Sequence, residues 1–213
     1  MGTFEKGILG PFSGKVGTVV GANWRGLNVM RSLPRKSSQE ATLAQKIVRE
    51  KFSLVVRFLK PLRPIVSAYY GHEAGELSRY NLATAYHINE AIVGTYPDLT
   101  LDYNLVIISS GELLNVENPA MATQPNAELA FTWTDNSGQT QANASDGFVV
   151  VVYNQTIRKS EYRDLAALRS AGSFTFNLPN SWIGDTVHAW VAMATSDRLK
   201  YSSSVYLGQA VLA

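Results

Sequence analysis

The sequence predicts an α+β protein in which a glycine-rich β-hairpin and helices precede a C-terminal antiparallel β-sandwich. Three observations predict it. Seven glycines fall between Gly2 and Gly26, the apolar period is helical from Leu43 to Lys60, and from Leu101 onward the period is two. Two domains are expected, a basic hairpin-plus-helices segment over residues 1–100 and the sandwich over 101–213.

At the N-terminus, Lys15–Gly21 and Asn28–Leu33 are short alternating runs, and Asn23-Trp-Arg-Gly26 between them supplies a turn. Val16–Leu33 therefore reads as a hairpin, which is marginal in water unless it packs on something. Ser37 and Glu40 have the spacing of a capping box, which predicts a helix start there. Downstream, Leu43, Ile47, Leu54 and Phe58 form one apolar stripe, with Val48, Phe52, Val55 and Leu59 beside it. Pro61 is expected to stop or kink this helix, because proline lacks the amide and clashes with the preceding turn. A second short helix is expected over Leu62–Tyr70. A third is expected from Ser78, with Gly94 as its C-cap, followed by a linker at Thr95–Leu99.

Seven strands are expected in the C-terminal half, at Tyr103–Ser110, Glu128–Thr134, Gly147–Asn154, Lys159–Leu165, Ser173–Leu178, Thr186–Thr195 and Tyr201–Ala210. Asp135-Asn-Ser-Gly138 and Pro179-Asn180 supply turn chemistry between them. Trp133 and Tyr153 are candidate core aromatics. The strand count and the long terminal hairpin from Asp185 to Leu207 resemble an immunoglobulin-like or fibronectin type III sandwich.

Composition removes several function classes. With no cysteine there is no disulfide, thiolate nucleophile or Cys-based metal site. No uncharged apolar run is long enough to span a bilayer as a helix, and Met1–Lys15 lacks the apolar core of a cleavable signal. A cytoplasmic place, a phage-like particle or export by a non-classical route is expected accordingly. The net charge of +2 conceals an asymmetry. Residues 1–70 carry twelve Lys/Arg against three Glu, a balance of +9, whereas residues 71–213 carry seven against fourteen Asp/Glu, or −7. Such polarity suits either a basic half that meets an anion or two complementary ends that meet each other.

No motif predicts catalysis. Gly10-Pro-Phe-Ser-Gly14-Lys15 has three residues between its glycines where a phosphate loop needs four, and Val16 where it needs Ser or Thr. His72, His87 and His188 lie far apart without ligand spacing, and no serine sits in a Gly-x-Ser-x-Gly elbow. No catalytic residue, cofactor or metal is expected.

The run Gly10–Gly17, then Val20-Gly21, Trp24-Arg-Gly26, Arg31-x-x-Pro-Arg35, Thr42-x-x-Gln45 and Arg49-x-Lys-Phe52 resembles the N-terminal signature of an uncharacterised bacterial family. The likeness extends through Gly94–Pro97 and Asp185–His188. It implies a glycine-rich hairpin, a helix and a C-terminal sandwich, and assigns no activity. The pattern also resembles, more weakly, segments of phage-like structural proteins.

These readings favour a non-enzymatic structural subunit that self-assembles into a filament, tube, surface layer or phage-like particle, hence a homo-oligomer or polymer. The contact candidates are Val16, Val19, Trp24 and Arg25 of the hairpin, Arg31, Arg35 and Lys36 after it, and Lys46, Arg49, Arg57 and Lys60 on the basic helix. The alternative is a binding module whose sandwich loops recognise protein or carbohydrate, with Trp182 and Tyr201 as candidate contacts. The third is a nucleic-acid-associated protein using the basic half, which predicts strong salt dependence.

Overall fold

The computed structural model describes residues 2–3, 12–24, 26–34, 39–72 and 77–213. The chain forms two compact units, Met1–Leu43 and Ala44–Ala213.

The first unit is a four-stranded antiparallel sheet of β1 (Gly2–Thr3), β2 (Gly14–Val16), β3 (Val19–Trp24) and β4 (Leu27–Ser32), in the order β1-β4-β3-β2. The expected hairpin is its centre, with β3 and β4 paired from Val19↔Ser32 to Trp24↔Leu27. Asn23 builds the connection: its side chain donates to Asn28 Oδ1 at 3.0 Å and accepts from the Gly26 amide at 3.1 Å. The expected run Lys15–Gly21 does not form one strand. It breaks at Gly17-Thr18 into a two-residue turn, with Val16 paired to Val19 and Gly17 at φ +58. A positive φ at the first central position of such a turn is where glycine costs least. Phe12 packs over Gly21, where a β-carbon would meet its backbone oxygen at 2.3 Å. Among the described residues of this unit, Val29 is the one buried hydrophobic side chain.

The second unit opens with α1 (Leu43–Tyr69). Ser37 lies outside the described residues, and Glu40 precedes the helix, so it is not the third helical residue of a capping box. Contrary to expectation, α1 does not end at Pro61. It continues through Pro61 and Pro64 to Tyr69 and absorbs the expected second helix. Each proline removes a ladder bond and costs about 3 kcal/mol or more. Against this, Val55, Phe58, Leu59, Leu62, Ile65, Val66 and Tyr69 are buried, at roughly 1.5–3 kcal/mol for each large apolar side chain. Burial wins. The Pro61 carbonyl is itself used, accepting from Ser160 Oγ at 3.0 Å.

α2 (Arg79–Glu90) starts where expected, with Ser78 Oγ accepting from the Asn81 amide at 3.3 Å. Its C-cap is Ala91 rather than Gly94. Gly94 instead serves a small hairpin, β5 (Ile92–Val93) paired with β6 (Thr100–Leu101), so Thr95–Leu99 is its tip and not a linker. There it has φ +90, and a β-carbon would sit 2.4 Å from Asp98 O.

The segment expected as a strand at Tyr103–Ser110 begins as a 3₁₀ turn, Tyr103–Leu105, because Asp102 Oδ1 accepts from the Asn104 amide and side chain. Beyond it, as far as Ser110, the chain forms no strand, and the hydroxyl of Ser204 accepts from the amide of Ile108 at 2.9 Å. The first strand of the sandwich is β7 (Glu117–Gln124), which the sequence reading missed. Pro119 and Asn118 (φ +47) break its alternation, and the register shifts between Glu117 and Ala120. A proline is tolerated on such an edge strand.

The remaining strands are β8 (Glu128–Thr134), β9 (Gly147–Asn154), β10 (Lys159–Arg163), β11 (Ser173–Asn177), β12 (Thr186–Ala194) and β13 (Val205–Val211). They form two antiparallel sheets, β10-β9-β12-β13 and β11-β8-β7, so the sandwich that the period predicted is built four strands on three. What the period did not predict is a third layer. Phe148, Val150 and Val152 of β9 pack with Leu129 and Phe131 of β8, whereas Val149, Val151 and Tyr153 pack with α1 and α2. On β12, Val191 and Met193 face the first group, and Trp190 and Ala192 face the second. The helices thus share a core with the sheet, and the boundary expected near residue 100 lies inside one unit. The binding candidates Trp182 and Tyr201 are core residues, 3% and 2% exposed.

The loops at one end of the sandwich are tied by Arg169, which is fully buried. Its guanidinium donates to Asp146 Oδ2 at 3.0 Å, to Asn136 Oδ1 at 2.7 Å, and to the carbonyls of Leu114, Asn115 and Asn143. All five donors of the group are used.

Two outcomes are expected. Arg169→Met strands the buried Asp146 carboxylate and should cost about 3–5 kcal/mol in urea unfolding, whereas a loss under about 1 kcal/mol would refute the network's role. The isolated segment 101–213, which leaves Val149, Val151 and Trp190 uncovered, should lack a cooperative thermal transition.

Candidate functional site

Each of the two units has chemically unusual surface, the N-terminal sheet in the first and the leading turns of α1 in the second. On the sheet, Val16 is 64% exposed and Trp24 47%, with Leu27, Met30 and Leu33 also exposed and Val19 half-buried. Arg31 lies exposed on β4, while Arg25, Arg35 and Lys36 lie outside the described residues. On α1, Lys46, Arg49, Arg57 and Lys60 are all exposed. At 100° per residue they fall within roughly 80° of one another, opposite the stripe that buries Val55, Leu59 and Leu62. The same apolar stripe continues toward the N-terminus as Phe52 and Val48, which are 53% and 65% exposed.

A further surface is a half-open cleft of about 300 Å³ within the second unit. Phe58, Leu101, Tyr103 and Tyr153 contribute apolar and aromatic surface, and Arg57, Arg158 and Gln155 supply its polar groups. Arg57 comes from α1, one helical turn after Ser53, to whose Oγ it donates at 3.3 Å. Arg158 comes from the β9–β10 turn. Asn154 shapes that turn: its Oδ1 accepts from the amides of Thr156 and Ile157 at 2.9 and 3.1 Å, and its amide donates to Asp185 at 2.8 Å. Arg158 closes the turn at φ +55, a conformation uncommon for a non-glycine residue.

Behind the cleft stands His188, buried and stacked on Tyr103 at 3.8 Å. One ring nitrogen meets the Tyr206 hydroxyl at 2.7 Å and the other the Gln155 side-chain oxygen at 3.1 Å. A neutral ring satisfies both, accepting at Nδ1 and donating at Nε2. Burial pushes its pKa down to about 4 and raises the phenols of Tyr103, to about 12, and Tyr153. His87, buried between the helices and the sheet, is also lowered by desolvation. Its Nδ1 lies 2.7 Å from Ala83 O, and the Ile107 amide donates to Nε2.

The structure brings Arg57 alone of the predicted residues to this cleft. Sequence reasoning missed Arg158, Gln155 and Tyr103, which join it only through the β9–β10 turn and the 3₁₀ segment. Among the described residues no group of three or more His, Asp or Glu is placed to hold a metal ion, and no helix is long and apolar enough to cross a membrane.

Residues 11–208 match the Family of unknown function (DUF6266), and the chain belongs to that family. No curated protein matches the sequence. Among solved structures, the fn3 domain of human collagen alpha-1(XX) chain is similar at 17% identity, over 49% of this chain and 89% of that one, with a TM-score of 0.34. The FN1-FN3 domains of chicken CNTN1 are similar at 8% identity, over 49% of this chain and 33% of that one, with a TM-score of 0.34. Neither likeness brings a function with it.

The lowered histidines set a pH dependence. His188 titrates near 6.5 when unfolded and near 4 when folded, so between those values the unfolded chain binds the extra proton. Stability is therefore retained above pH 6.5 and lost as pH falls toward 4, by at most about 1.4 kcal/mol per pH unit for each such group. The urea midpoint should drop between pH 7 and pH 5, and His188→Gln should flatten that drop. An equal slope in the variant would contradict the assignment.

Proposed function

We propose that this DUF6266 chain is a non-enzymatic structural subunit that self-associates through exposed apolar surface, that of its N-terminal sheet and, separately, that of the leading half of α1. The observation that carries the proposal is a mismatch of burial. The N-terminal sheet has a single buried hydrophobic side chain among its described residues, yet exposes Val16, Trp24, Leu27, Met30 and Leu33. A sheet with so small a core gains little from packing on itself. In the second unit, Val48 and Phe52 of α1 are exposed as well. Exposed apolar groups gathered in this way mark contact surfaces.

The occupant is a second copy. The balance of +9 over residues 1–70 against −7 over residues 71–213 makes the two ends of one chain complementary to each other. Unlike surfaces that meet head to tail build open polymers when the rotation does not close. β2 stands at the edge of the described sheet order, the position at which strand addition takes place. The sandwich-loop alternative loses its named contacts, since Trp182 and Tyr201 are in the core.

Sedimentation and electron microscopy of the purified chain should find oligomers or filaments that weaken as salt rises. Phe52→Ser with Val48→Ser should weaken association by at least about tenfold, equivalent to about 1.4 kcal/mol. A monomer at every concentration and salt would end the proposal.

A further inference from the structure

The cleft beside α1 combines features that the self-association reading does not use. It pairs an aromatic surface with two arginines, and no acidic side chain lines it. Arg163 and Arg198 of this unit are matched by acids, Arg163 lying 4.0 Å from Glu161 and Arg198 2.8 Å from Asp164. Arg57 reaches only the hydroxyl of Ser53, and among the described residues neither Arg57 nor Arg158 has a carboxylate partner. Both guanidinium groups act on the same ring, pulling the Tyr153 phenol down against the upward push of burial. Both residues line the same cleft although they come from different elements.

Two guanidinium forks left without an anion, above an aromatic surface, have a defined chemical complement. The volume of about 300 Å³ stands at the small end of ligand pockets. Gln155 faces the same space while its side-chain oxygen is held by His188, which fixes the orientation of its amide nitrogen as a further donor.

We propose that this cleft binds a small ring-bearing anion, an aryl carboxylate or aryl phosphate, whose anionic group is held by Arg57 and Arg158 and whose ring packs on Phe58, Tyr103 and Tyr153. Recognition needs both parts, the charge and the ring. The site is separate from the exposed apolar stripe of α1 and does not depend on the oligomeric state.

Ligand-observed NMR and calorimetry on the full chain test this with four probes: 4-hydroxybenzoate, 4-nitrophenyl phosphate, inorganic phosphate and 4-methylphenol. Saturable binding of at least one of the two ring-bearing anions is expected, and the better of them identifies the anion class. Phosphate without a ring and the uncharged ring should each bind at least about tenfold more weakly. Arg57→Ala and Arg158→Ala should each weaken binding by about tenfold or more, with Lys159→Ala unchanged. Both arginines are solvent-exposed, so the variants should fold, which circular dichroism verifies. No saturation by either ring-bearing anion up to about 10 mM, a concentration that corresponds to negligible affinity, would overturn the site. So would binding that is indifferent to both arginine variants, or inorganic phosphate binding as tightly as the ring-bearing anions.

Discussion

The fold depends on two strands that have no solvent face. Every residue of β9 is buried, and β12 is buried from Val187 to Ala194. A sandwich strand ordinarily hides one side and wets the other, which gives the alternation hydrophobic-in, polar-out. Here Val149, Val151 and Trp190 on the far side need a cover, and α1 and α2 supply it. The consequence runs through the rest of the chain. The helix must reach the sheet whatever its prolines cost, so Pro61 and Pro64 lie inside it. Phe58 must meet Tyr153 and Trp190 edge-on, at ring centroids 5.0 and 6.1 Å apart. Tyr69 must anchor the far end, donating to Asp164 at 2.6 Å.

A second constraint holds the loops. Arg169 and Asp146 are both removed from water, and such a pair is tolerable only when its remaining hydrogen-bonding capacity is used. It is used: the guanidinium donates to three backbone carbonyls as well as Asn136, and Asp146 Oδ2 also accepts from the Asn143 amide at 2.8 Å. Trp133 joins by donating to the Arg169 carbonyl at 2.8 Å and stacking on Phe148 at 4.2 Å. Loop geometry is thereby locked to core packing at this end of the sandwich.

Much of the sandwich was legible because its strands are bounded by turn residues, and β8 and β9 begin and end where the pattern said. The third layer was also written in the sequence, as the uninterrupted run Phe148-Val-Val-Val-Val-Tyr153, but a short apolar run does not declare what covers it. β7 was hidden by Pro119 and by its polar edge character. The helix was misread at Pro61 because a local rule was outweighed by tertiary burial. Of the site, Arg57 was visible as one charge in a basic helix. Its partnership with Arg158 was not, because a hundred residues separate them and the turn that presents Arg158 takes its shape from the side chain of Asn154.

The dependence of β9 and β12 on a helix made far earlier has a consequence for biosynthesis. α1 leaves the ribosome with its apolar stripe complete, but β12 follows roughly 120 residues later, a delay on the order of ten seconds at ordinary elongation rates. During that interval Phe58, Leu59, Leu62 and Tyr69 have no sheet to pack on. The nascent chain thus presents the surface that holders of unfolded chains recognise, and its final collapse waits for its last strands.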